Sequence, residues 1–108
     1  MKIKLSPARM DEQLDATVSG DSITVNGTRI NFGPLLNGET LPNEAINNKW
    51  ITGDVHRIDG EIHLTLVLPH GAAAPHETRF PAAYDVPMTV IRGAVPLPPY
   101  NEQTEGEG

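Results

Sequence analysis

The fold is decided by residues 23–32, ITVNGTRINF, in which two short runs of alternating apolar and polar residues flank Asn26-Gly27. An Asn-Gly pair readily takes the two positive φ angles of a type I′ turn, so it predicts a β-hairpin with a two-residue loop. Pairing outward from that loop matches Val25 with Thr28 and puts the apolar side chains on one face: Ile23, Val25, Ile30 and Phe32.

A second turn at Gly20-Asp21 extends this hairpin toward the N-terminus. It sets Val18 against Ile23 and Ala16 against Val25, so a third strand turns its apolar side chains to the same face. A register shift of one residue would invert a whole strand, so agreement between the two turns is strong evidence for both. We predict a three-stranded meander over about residues 12–32.

Asp59-Gly60 predicts another hairpin, with arms over residues 53–58 and 61–68. Its two faces separate into an apolar set with Arg57 at its edge (Val55, Ile62, Leu64, Leu66, Leu68) and a polar set (Asp54, His56, Ile58, Glu61, His63, Thr65). Further short elements are expected: a strand over 2–5 that pairs at long range, a turn at Asn37-Gly38, one helical turn over 43–46 after Pro42, and a strand over 88–91.

Prolines mark the remaining segments. Residues 69–87 hold four prolines and three consecutive alanines, which predicts an irregular surface loop. We expect one β-rich domain over 1–95, followed by a disordered acidic tail over 96–108. The predicted fold class is all-β, mainly antiparallel hairpins packed as a small β-sandwich or a partly open barrel with a long Pro-rich loop.

Composition excludes several classes of function. The chain has 14 acidic and 8 basic residues, a net charge of −6 and no cysteine, which argues against nucleic-acid partners, anionic membrane surfaces and thiolate chemistry. No apolar run reaches the roughly 18 residues of a membrane helix. Without a serine nucleophile elbow, a phosphate-binding loop or a dinucleotide motif, we predict a protein that is not an enzyme and needs no cofactor.

His56 and His63 face each other across the Asp59-Gly60 hairpin, with Asp54 and Glu61 two residues away on the same face. Two imidazoles and one or two carboxylates would suit Zn²⁺ without cysteine. The alternative is an exposed polar face on which the histidines are only cross-strand neighbours. Zinc is therefore the one cofactor that the sequence raises, as an alternative.

Three residues are predicted to contact a partner: Trp50, His70 and Phe80. Trp50 is the only tryptophan and precedes the second hairpin, where it would anchor a partner or fill core volume. His70 and Phe80 belong to the Pro-rich loop. A module that binds host glycans or peptides through Trp50 is a further alternative.

Two parts of the chain resemble small proteins that tailed phages and prophages encode near their tail-fibre genes. The first is Met1 to Pro7 followed by Ser19-Gly20-Asp21 and Val25-Asn26-Gly27. The second runs from Leu41-Pro42 through Glu44-Ala45-Ile46, Trp50, Gly53, Val55, Arg57, Gly60-Glu61 and Leu64-Thr65-Leu66 to Leu68-Pro69-His70-Gly71. The likeness covers about two-thirds of the chain and fades after residue 81. It implies a phage context without a catalytic motif.

We therefore expect an accessory or structural protein of the phage tail region that acts through protein–protein contacts. Its expected partners are other tail proteins or further copies of itself, bound through strand edges or the 69–87 loop. Its expected location is the host cytoplasm during assembly, with the virion tail as the second location.

Overall fold

In a computed structural model, which describes residues 1–101, the chain is mostly β and forms two mainly antiparallel sheets. The nine strands within these residues are β1 (Lys2–Arg9), β2 (Ala16–Ser19), β3 (Ser22–Val25), β4 (Thr28–Asn31), β5 (Thr40–Leu41), β6 (Ile51–Ile58), β7 (Glu61–His70), β8 (Met88–Thr89) and β9 (Arg92–Ala94). Two short helices are α1 (Asn43–Ile46) and α2 (His76–Arg79), and a 3-10 turn covers Ala82–Tyr84.

The predicted meander is confirmed as three strands of the smaller sheet, whose order is β4-β3-β2-β9. Ile23 pairs with Ile30 and Val18 pairs with Ile23, as the two turns require. The turn glycines Gly20 and Gly27 have φ angles of 61° and 85°. Strand β9, which the sequence does not predict, completes the sheet beside β2.

The larger sheet has the order β5-β6-β7-β1-β8. Its centre is the predicted β6–β7 hairpin, in which His56 lies opposite His63. The expected N-terminal strand is present and longer than predicted, and it runs parallel to β7 with Lys2 beside His63. Because β1 and β7 are about 60 residues apart in the chain, no turn motif in the sequence predicts that these two strands pair in parallel.

A β-bulge interrupts β6 between Thr52 and His56. Gly53 has a φ of 75°, a backbone angle that favours glycine. Asn43, in the helical turn predicted after Pro42, donates from its side chain to the backbone carbonyls of Ile51 and Gly53 at 2.9 and 3.0 Å. Helix α1 therefore holds the bulge in place.

The inner faces of both sheets contribute to one continuous apolar core. Its fully buried side chains include Ile3 and Leu5 of β1, Ile23 of β3 and Leu66 of β7. The arrangement is sandwich-like, and within residues 1–101 each sheet keeps two free edges, so the strands do not close into a barrel.

Arg57 joins the two sheets. Its guanidinium donates to the Asp21 carboxylate in the β2–β3 turn at 3.0 Å and to the Phe32 carbonyl after β4 at 3.1 Å. It also donates to the carbonyls of Leu35 and Gly60. The side chain is 11% exposed, so the expected position at the edge of the apolar face is confirmed.

The predicted irregular loop over 69–87 is wrong in part. Strand β7 continues through Pro69 to His70, paired with the end of β1. Pro75 and Pro81 then precede α2 and the 3-10 turn, because proline favours the first positions of a helix. In this segment, two of the prolines that predicted an irregular loop directly precede short helices.

The predicted disordered tail starts at residue 96, but the structure shows contacts between this segment and the rest of the chain as far as residue 101. Gly71 donates its backbone N–H to the Tyr100 carbonyl at 2.9 Å, and the buried Thr78 hydroxyl donates to the Pro99 carbonyl at 2.6 Å. The Tyr100 hydroxyl donates to the Met10 carbonyl. Part of the segment that the sequence assigns to the tail therefore contacts the domain, while residues 102–108 of the predicted tail lie outside the described residues.

Candidate functional site

Two surface features bring chemically useful side chains together. The first is a line of residues across the outer face of the five-stranded sheet, here named the histidine row. Strand register places its members side by side: Thr40, His56, His63, Lys2 and Thr89. Neighbouring strands are about 4.8 Å apart, so His56, His63 and Lys2 span roughly 10 Å.

Hydrogen bonds fix both ends of the histidine row. The Nδ1 atom of His56 lies 2.8 Å from the Thr40 hydroxyl, and Lys2 Nζ donates to the Thr89 hydroxyl at 2.6 Å. Beside the row, Lys4 is paired in register with Thr65. A solvent-open concavity of about 350 Å³ is lined by the two lysines, the two histidines and Thr65, among others.

The carboxylates predicted to complete a zinc site have other partners in the structure. Asp54 accepts the backbone N–H of Asn43 at 2.9 Å, and Glu61 lies 4.0 Å from Lys2 Nζ. Within residues 1–101, no group of three or more His, Cys, Asp or Glu side chains is placed to hold a metal ion. The structure therefore brings His56 and His63 together and leaves this pair without the expected carboxylate ligands.

The second feature is the aromatic patch, formed by Phe80 and Tyr84 on the segment 76–86. Buried Thr78 and Ala83 seat the segment against the body of the protein, and α2 contacts both β1 and β7. Phe80 and Tyr84 point outward and remain 66% and 58% exposed, with Val86 beside them in sequence at 72%.

The aromatic patch surrounds a concavity of about 500 Å³. Its lining combines the two aromatic rings and two prolines with one charge of each sign, from Pro7, Arg79, Phe80, Pro81, Tyr84 and Asp85. The Phe80 ring also lies against the His76 imidazole, with ring centroids 4.8 Å apart. A hollow with aromatic walls and a polar rim suits a protein segment that inserts apolar side chains.

The other two predicted partner-contact residues are placed differently. Trp50 is 5% exposed and belongs to the core, with Lys49 Nζ 5.0 Å from its ring centroid. Its ring therefore fills core volume, the alternative that the sequence left open, and presents little surface to a partner. His70 is half-buried at the end of β7, where its Nδ1 lies 3.1 Å from the Gly71 carbonyl.

The sequence analysis did not include Lys2, Lys4 and Tyr84, which line the two concavities, among its candidate residues. The alternation of Lys2-Ile3-Lys4-Leu5 does put both lysines on the outer face of a strand, but only the parallel pairing of β1 with β7 brings them beside His63. Tyr84 carried a usable signal, since it lies four residues after Phe80 in the Pro-rich segment.

Comparison with known proteins gives no relative: no family model, no curated protein and no solved structure matches the chain. Within residues 1–101, none of the helices has the length and apolar character needed to cross a membrane.

Proposed function

We propose that the chain is an accessory or structural protein of a phage tail that acts through protein–protein contact and not through catalysis. The observation that carries the contact function is the aromatic patch. Two large aromatic side chains that are more than half exposed beside an open hollow are typical of a surface that a partner covers. The phage context rests on the sequence resemblance.

The sheet edges offer less to a partner than the aromatic patch. The edge strands β5 and β8 have two residues each, β9 has three and β4 has four. Such short edges provide few unpaired backbone groups for an added strand, which is how many β-proteins avoid unwanted pairing. This favours the 76–86 segment over strand addition as the contact surface.

Charge favours a partner that differs from this chain. Two copies, each with a net charge of −6, repel each other at low salt. Arg79 and Asp85 line the hollow of the aromatic patch without giving it one dominant charge. We therefore assign the patch to a segment of another tail protein that carries apolar anchors.

The proposal is tested by following the tagged chain through phage assembly in cells in which the phage that encodes it is induced. Tail intermediates and finished particles are separated by sedimentation and probed with an antibody to the tag. The wild-type chain is expected to sediment with a tail intermediate or with the particle. The double variant Phe80→Ser with Tyr84→Ser is expected to stay at the top of the gradient while it remains folded.

Ile91→Ser provides the matched control, because Ile91 is 78% exposed and lies outside the aromatic patch. This variant removes a similar apolar surface and is expected to sediment like the wild type. Absence of the wild-type chain from particles and from every tail intermediate would contradict the phage-tail assignment. Equal sedimentation of the patch variant and the wild type would contradict the assigned surface.

A further inference from the structure

The histidine row combines cationic and hydrogen-bonding side chains that play no part in the proposed protein contact through the aromatic patch. Its concavity gathers side-chain donors from three neighbouring strands: His56 on β6, His63 and Thr65 on β7, and Lys2 and Lys4 on β1. On a chain with a net charge of −6, this sheet face places two ammonium groups beside two imidazoles, whose ring nitrogens take part in hydrogen bonds.

Among the side chains that line the concavity, Lys2 and Lys4 are cationic and Asp54 is anionic, which leaves a formal charge of +1 with neutral imidazoles. Asp54 lines the same concavity but already accepts the Asn43 N–H, and Glu61 Oε1 is 4.0 Å from Lys2 Nζ. Lys4 carries the least opposed charge, since no carboxylate within residues 1–101 forms an ion pair with it.

The side chains around His56 and His63 favour an anion over a metal cation as the ligand of this concavity. A zinc site needs three or four ligands, and no third His, Cys, Asp or Glu side chain of the described residues is placed to hold a metal ion together with the two imidazoles. The adjacent lysine ammonium groups would repel a metal ion, whereas they attract an oxyanion at short range. The His56 Nδ1 contact with Thr40 leaves Nε2 as the ring nitrogen available to a ligand.

We propose that this concavity binds a doubly charged oxyanion of the phosphate or sulfate class. Lys4 and Lys2 would supply the charge, and the two imidazoles and the Thr65 hydroxyl would supply hydrogen bonds. The volume of about 350 Å³ exceeds that of a single phosphate group, so there is room for the molecule that carries it. The aromatic patch takes no part in this site.

The test is a titration of the full chain followed by NMR of the backbone amides and the imidazole nitrogens. Inorganic phosphate, sulfate and glucose 6-phosphate are added separately, with sodium chloride at matched ionic strength as the reference. Saturable shifts are expected at Lys2, Lys4, His56, His63 and Thr65. Equal affinity for phosphate and glucose 6-phosphate would support a site for the anion alone, and tighter binding of the sugar phosphate would support a site that also holds the carrier.

Lys2→Gln with Lys4→Gln is expected to weaken binding about tenfold or more, which corresponds to roughly 1.4 kcal/mol. Arg29→Gln with Arg92→Gln removes the same charge from the four-stranded sheet and is expected to leave binding unchanged. If the double variant does not fold, the single variant Lys4→Gln replaces it in the titration, because this variant keeps the Lys2–Thr89 hydrogen bond. It is also expected to bind the anions more weakly than the wild type.

Three outcomes would overturn the proposal. The first is that chloride produces the same shifts as phosphate and sulfate. The second is that the lysine variants bind the anions as tightly as the wild type. The third is that zinc chloride gives saturable shifts at His56 and His63 where phosphate and sulfate give none. The last outcome would favour the metal alternative.

Discussion

At the scale of single residues, Arg57 connects both sheets with one side chain. Its acceptors lie in the β2–β3 turn, in the segment after β4 and in the β6–β7 turn. Lysine carries the same charge but has one ammonium group in place of the forked guanidinium, so it cannot reach all of these acceptors at once.

Arg57→Lys is therefore expected to lower the free energy of unfolding by about 3 kcal/mol, since the part-buried hydrogen bonds to the Leu35 and Phe32 carbonyls and the exposed ones to Gly60 and Asp21 are not all kept. Urea denaturation followed by circular dichroism measures the change. Arg92→Lys, at an exposed position of β9, should change stability by no more than about 0.5 kcal/mol. Similar losses for the two variants would contradict the role assigned to Arg57.

Residue chemistry also explains which parts of the fold the sequence predicts. Asn26-Gly27 and Asp59-Gly60 set the registers of their hairpins, because the backbone angles of each turn are a local property. The parallel partner of β1 and the bulge at Gly53 depend on packing between distant segments. The histidine pair could thus be predicted from one turn, whereas its lysine neighbours could not.

At the scale of elements, the segment 96–101 acts as a strap over the turn after β7. The Tyr100 carbonyl accepts the Gly71 N–H, and the Tyr100 hydroxyl donates to the Met10 carbonyl. The Pro99 carbonyl accepts a hydrogen bond from the hydroxyl of Thr78 in α2. Asn101 also lies close to Gly71, where a Cβ atom would clash with the Asn101 side chain. These contacts link the strap to the segment that carries the aromatic patch.

A chain that ends at residue 95 is expected to be less stable than one that ends at residue 101 by about 4 kcal/mol, at roughly 1 kcal/mol for each of the four hydrogen bonds that residues 99–101 make with the rest of the chain. Amide hydrogen exchange should show the largest loss of protection at residues 71–80. Equal stability of the two chains, with unchanged exchange over 71–80, would contradict this role of the strap and support the domain boundary that the sequence predicts at residue 95.

At the scale of the whole molecule, the two sheets share one core and should unfold together. Leu66 is fully buried at the centre of the larger sheet. Leu66→Ala is expected to lower the free energy of unfolding by about 3 kcal/mol. Amides of both sheets should lose protection at one common urea concentration.

Leu36→Ala is the control for this variant, because Leu36 is mostly exposed. Its effect should stay within about 0.5 kcal/mol. A meander that keeps its own, higher unfolding midpoint in the Leu66→Ala variant would show two independent units and would contradict the shared core.

Contact through the aromatic patch is tested most directly by hydrogen–deuterium exchange of the wild-type chain, free and bound to a purified tail intermediate. The exchange of residues 76–86 is predicted to slow on binding, because the partner covers Phe80 and Tyr84, while strands β4 and β9 exchange as in the free chain. Unchanged exchange over 76–86, or protection confined to the strand edges, would contradict the proposed mode of contact.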